Sequence, residues 1–165
     1  MRLVVADTGP LHYLVLIGQI ELLPRLFETV LVPEMVRDEL SRARTPPSVR
    51  AWMANPPAWL QIAPTPAALE ELLLPALDDG ERAAIALAML RSVDLILMDD
   101  RAGVAAAEAK GLVVMGTLGL LDRAAQRGLV DLAAAFAALK ATNFHMRQEL
   151  LDFLLARDRE RRGRS

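Results

Sequence analysis

No cysteine occurs in this 165-residue chain, which excludes a disulfide framework, thiolate zinc and a cysteine nucleophile. There are only two histidines, His12 and His145. The first lies in an apolar helical stretch and the second follows a break, so neither reads as a catalytic base. A P-loop, a G-x-G-x-x-G turn and a serine nucleophile elbow are all missing. Aromatics make up 4% against a hydrophobic fraction of 53%, so alanine and leucine dominate and the core should be aliphatic and largely helical. No run of about 18 apolar residues escapes a charge or a proline, which argues against a membrane span. The nearest, Leu11 to Leu26, is broken by Glu21, Pro24 and Arg25. Nor is a signal peptide visible, because Asp7 interrupts the first apolar run too early. A cytoplasmic protein is the expectation. A basic excess is missing too: 19 basic and 21 acidic residues give a net charge of −2, unlike most nucleic-acid binders. Arginines do gather at Arg37/Arg42/Arg44/Arg50 and in the tail from Arg157 to Arg164.

What the chain does have is five short apolar runs, over 2–7, 29–32, 59–63, 93–98 and 112–116. Unbroken runs of this length suit strands covered on both faces. Between them lie helical stretches: one opening at Thr8-Gly9-Pro10, one from Pro33 to about 43, and short ones over 49–54 and 66–74. Others follow over 80–91 and 101–110, with further helix from Leu118 broken near Gly128 and Thr142-Asn143. Strands alternating with helices predict an α/β fold of three α/β/α layers around a five-stranded, mostly parallel sheet. The length suits one domain, placed at 1–155, with 156–165 as a charged tail. Ligands of such sheets bind beyond the carboxyl ends of the strands.

Acids stand at that edge. Asp7 closes the first run and Asp99-Asp100 the fourth. Asp7 would serve equally as a helix cap before Thr8-Gly9-Pro10. Adjacent residues diverge at a strand end, so one of Asp99 and Asp100 enters a site while the other caps the next helix. Spacing does not choose between them. Glu39 falls on the face made by Met35, Val36, Leu40 and Ala43 at about 100° per residue, where an unpaired carboxylate is costly. Glu81 projects with Ile85, Ala88 and Met89 from a helix apolar nearly all round, although an acid also belongs in a first helical turn. Carboxylates without cysteine or clustered histidine point to a hard cation, Mg²⁺ or Mn²⁺.

Four stretches carry a resemblance: Val4-Val5-Ala6-Asp7-Thr8-Gly9-Pro10-Leu11, Val32-Pro33-Glu34-Met35-Val36-Arg37-Asp38-Glu39-Leu40, Gly80-Glu81-Arg82-Ala83-Ala84-Ile85-Ala86-Leu87-Ala88 and Leu95-Ile96-Leu97-Met98-Asp99-Asp100-Arg101. In this order they resemble the PIN-domain family of metal-dependent ribonucleases, which includes the VapC-type toxins of toxin–antitoxin pairs. The resemblance implies Asp7, Glu39, Glu81 and Asp99 as catalytic metal-binding acids, with Asp100 as the alternative ligand. It implies RNA as the substrate, a small antitoxin protein as partner, and a homodimer. Separately, Thr8 and Thr117 stand near strand ends, where their hydroxyls serve either as turn caps or as substrate contacts, and Arg101 is the third candidate substrate contact. Two positions depart from the family pattern. Gly9 stands where Ser or Thr is common, and Met98 where Thr usually precedes the last acids. Missing hydroxyls would weaken metal positioning, which leaves a second reading: a weakly active or inactive PIN-like module that binds an antitoxin or RNA. A receiver-like phosphotransfer domain fits poorly, since the acidic pair follows the fourth strand rather than the first and neither Lys110 nor Lys140 is well placed for such a site.

Overall fold

Apolar runs flanked by helices pair most simply with one another in parallel, and all five do so here. The computed structural model describes residues 3–64 and 76–164. Its strands are β1 (Leu3–Ala6), β2 (Thr29–Pro33), β3 (Leu60–Ala63), β4 (Leu95–Leu97) and β5 (Val114–Met115). They form one sheet in the order β3-β2-β1-β4-β5, and every pairing is parallel. The helices among the described residues are α1 (Thr8–Leu16), α2 (Leu22–Leu26), α3 (Glu34–Leu40), α4 (Pro47–Ala54) and α5 (Asp79–Arg91), then α6 (Arg101–Ala109), α7 (Thr117–Gln126), α8 (Leu132–Lys140) and α9 (Gln148–Gly163). The helix expected over 66–74 lies outside the described residues.

Side chains alternate across a strand, so each strand feeds two cores. Val4, Ala6, Val30, Val32, Leu95 and Leu97 join the core beneath α1, α2, α7 and α8. Val5, Leu31, Ile96 and Met98 join the core beneath α5 and α6. That second core explains why α5 is apolar all round: Ala83 through Ala88 are buried without a break. No helix among the described residues is long and apolar enough to cross a membrane.

Two local outcomes differ from the sequence expectation. Helix α3 stops at Leu40 rather than near residue 43, because the Ser41 hydroxyl bonds back to the Arg37 carbonyl and Thr45 closes a turn on Arg42. At the other end α9 continues past residue 155 to Gly163. Its Asp158 is only 5% exposed. Arg161 Nη2 donates to Asp158 Oδ1 at 3.2 Å and to Asp122 Oδ1 on α7 at 3.0 Å. A partner 39 residues away is invisible in a run of mixed charges. Among the described residues, Arg161→Met should therefore leave Asp122 with Gln126 alone and Asp158 with Arg162 alone, and lower stability by about 1–2 kcal/mol, measured by urea unfolding. An unchanged midpoint would show that the clip contributes nothing.

Candidate metal centre

The strand order reverses between β1 and β4, which opens a crevice at their carboxyl ends. Asp7 is the first residue beyond β1, its N–H still donating to the Leu97 carbonyl at 2.9 Å. It occupies the N-cap position of α1, yet its side chain makes no capping bond. The carboxylate is 6% exposed, and its Oδ1 has no hydrogen-bond partner. Capping therefore does not explain this residue. Burial pushes its pKa from the ordinary 3.8 up to about 7; the Thr8 amide opposes the rise, while Asp78, Glu39 and Asp99 add to it.

The remaining acids are held by neighbours rather than by cations. Asp99 Oδ2 accepts from the Thr117 hydroxyl at 2.6 Å and Oδ1 from the Thr117 N–H at 2.7 Å. Burial raises its pKa against those two bonds. Asp100 points elsewhere and caps α6, accepting from the amides of Ala102 and Gly103. The divergence expected of adjacent residues is thus found, with Asp99 facing the crevice. Glu39 reaches in from α3: Oε2 accepts from the Thr8 hydroxyl at 2.6 Å and Oε1 from the Gly80 N–H at 3.1 Å. Glu34 and Asp38, on the opposite side of that helix, are exposed. Glu81 is buried and shares a reciprocal capping box with Asp78. Burial drives its pKa from 4.5 to about 8, helped by Asp78, Asp100 and Asp7 and opposed by the Asp78 amide.

None of Asp7, Glu39, Glu81 and Asp99 has an ion-pair partner among the described residues. These donors are the kind a hard divalent cation takes, and the unpartnered Asp7 Oδ1 is an acceptor inside their field. As the side chains stand, no three carboxylates or imidazoles among the described residues gather closely enough to hold an ion. The fit is one of donor type and of that free oxygen.

The candidate substrate contacts divide. Thr8 and Thr117 orient acids; Thr117 is fully buried, so its hydroxyl positions Asp99 only. Arg101 opens α6 on the exposed surface. The hydroxyl missing at position 9 is offset from across the crevice. A Cβ on Gly9 would lie 3.5 Å from Asp99 Oδ2, the oxygen that Thr117 already serves. Met98 packs in the α5–α6 core.

Sequence reasoning missed Asp78, which reads as a cap but also lifts the pKa of both Asp7 and Glu81. It also passed over His12. That ring sits four residues after Thr8 on one helix face, a spacing that was legible. Asp78 and His12 line an open cleft of about 370 Å³ together with Thr8 and Glu39.

Among the described residues, Gly80 and Gly116 both lie too close to a site carboxylate for a side chain, Gly80 the more tightly. A Cβ on Gly80 would fall 2.6 Å from Glu39 Oε2 and 2.8 Å from Oε1. Gly80→Ala should therefore expel the Glu39 carboxylate while the gain in helix propensity, up to about 1 kcal/mol, limits the loss of stability. Mn²⁺ is expected to raise the melting temperature of wild type and to raise that of Gly80→Ala by no more than half as much; an equal rise would place Glu39 outside the cation's reach.

Residues 3–160 match a family described as a PIN domain. Comparison with curated proteins gives no match.

Proposed function

The chain belongs to the PIN-domain family, whose fold is of nuclease type, and from that premise we propose a Mg²⁺- or Mn²⁺-dependent ribonuclease that hydrolyses RNA phosphodiester bonds. The observation that carries the reading is Asp7: a buried carboxylate with one oxygen unpartnered, in the field of three other acids. Asp7 and Asp99 would hold the cation, with Glu39 and Glu81 contributing directly or through water. Such an ion, when bound, lowers the pKa of its water and neutralises charge on the scissile phosphate. The chain's own residues set the geometry. Thr117 fixes both Asp99 oxygens, Thr8 and Gly80 fix both Glu39 oxygens, and Asp78 ties down the start of α5 beneath Glu81. No side-chain base is called for, in keeping with a histidine-poor chain.

The test is cleavage of single-stranded RNA with Mn²⁺ and with a chelator. Wild type should cut only with the metal; RNA left intact in millimolar Mn²⁺ would overturn the proposal. A second reading, a PIN-like module that binds without cutting, draws on the lack of three converged acids among the described residues. RNA retained but never cut is its signature. The proposal extends to a toxin role, a small antitoxin partner and a homodimer, supported by the family resemblance.

A further inference from the structure

The cleft beside the acids has a second wall of opposite charge. Arg42 and Arg44 line it together with His12, Thr8, Glu39 and Asp78. Both arginines are exposed, and neither forms an ion pair among the described residues. An acid in the same cleft is the obvious partner, yet Glu39 is bonded to Thr8 and Gly80 instead. The loop that presents the arginines is tied in place. Its Thr45 N–H donates to the Arg42 carbonyl at 3.0 Å and its Thr45 hydroxyl to the Glu39 carbonyl at 3.1 Å, and Pro46-Pro47 stiffens the entry into α4. Two free guanidinium groups on a fixed loop, next to a site that collects carboxylates, match the two needs of a polyanionic strand. The acids serve the reacting phosphate through a cation; the arginines serve a phosphate beside it, in the bidentate manner suited to guanidinium.

We infer that Arg42 and Arg44 grip the backbone of single-stranded RNA at the phosphate next to the scissile one and lay the strand across the cleft. The inference rests on the ribonuclease reading and assigns the residues that position its substrate. His12, on α1 beside Thr8, closes the same wall and bounds the path.

Binding without cleavage tests it. The full chain is titrated into a fluorescently labelled single-stranded RNA oligonucleotide in EDTA, over a series of salt concentrations, with fluorescence anisotropy as the readout. R42Q/R44Q should weaken binding at least tenfold and reduce the slope of log affinity against log salt by about 1.4, since each single-strand phosphate contact contributes about 0.7. R42K/R44K should keep the slope. R157Q/R159Q, which removes the same charge from α9, should leave both affinity and slope as in wild type. The melting temperature of R42Q/R44Q should not move, because both side chains are exposed. Equal losses in the two glutamine pairs would reduce the effect to net charge and overturn the grip. So would an unchanged R42Q/R44Q, or a wild type that binds no RNA but captures an acidic peptide. Failure of the nuclease reading shows separately, in the Mn²⁺ cleavage assay, which scores cut RNA and not bound RNA.

Discussion

Asp7→Asn is expected to melt higher than wild type without metal while cutting RNA on the order of 10³-fold more slowly. The two effects share one cause. Raising a carboxylate from 3.8 to about 7 means that its charged form costs the fold roughly 4 kcal/mol at pH 8. An amide of the same shape carries no charge and so escapes both the burial cost and the repulsion from Asp78, Glu39 and Asp99. Recovering half of that cost would stabilise the metal-free protein by about 2 kcal/mol, or roughly 4–8 °C for a chain of this size. The same exchange removes the negative charge and one of the two oxygens of the buried carboxylate that a cation would use. Thermal melts at pH 8 in EDTA, alongside cleavage rates in Mn²⁺, measure both halves. A variant that melts lower, or that cuts at the wild-type rate, would show that Asp7 is a structural acid.

Without metal, wild-type stability should fall as pH rises from 5 to 8. Folded Asp7 keeps its proton to about 7 and folded Glu81 to about 8, against ordinary values of 3.8 and 4.5. In that window the folded state binds more protons than the unfolded chain, so each step up in pH favours unfolding. Asp99, also raised, acts in the same direction. His12, lowered by burial, opposes it only below its ordinary 6.5. The expected net loss is about 4 kcal/mol, near 10 °C in melting temperature. Saturating Mn²⁺ should flatten the profile, because the cation selects the ionised acids and stabilises the fold more as pH rises. A metal-free melting temperature that is flat or climbs across this range would remove the electrostatic basis of the site.

Legibility in the sequence followed the range of the forces involved. The five strands were readable because a buried parallel strand must be apolar on both faces, and Val30-Leu31-Val32 or Leu95-Ile96-Leu97 satisfies that locally. Glu39 stood out because one carboxylate on the Val36–Leu40 face breaks helical periodicity. The choice between Asp99 and Asp100 was not readable. It turns on Thr117, eighteen residues downstream, whose amide and hydroxyl both reach Asp99. The same holds for Asp122 and Arg161, for the closeness of Gly80 to Glu39, and for Arg42 and Arg44 sharing a wall with His12.

By itself, then, the chain's order of apolar and acidic residues determined the layered α/β architecture, the sheet's five members and which acids lie at its carboxyl edge. Periodicity and strand ends are properties of neighbouring residues, and those are written in the sequence. Only the tertiary structure decided that Asp7 is left without a hydrogen-bond partner on one oxygen, that Asp100 is a cap, and that two arginines face the same cleft as Glu39. Those outcomes depend on distances between segments far apart in the chain, which packing alone sets.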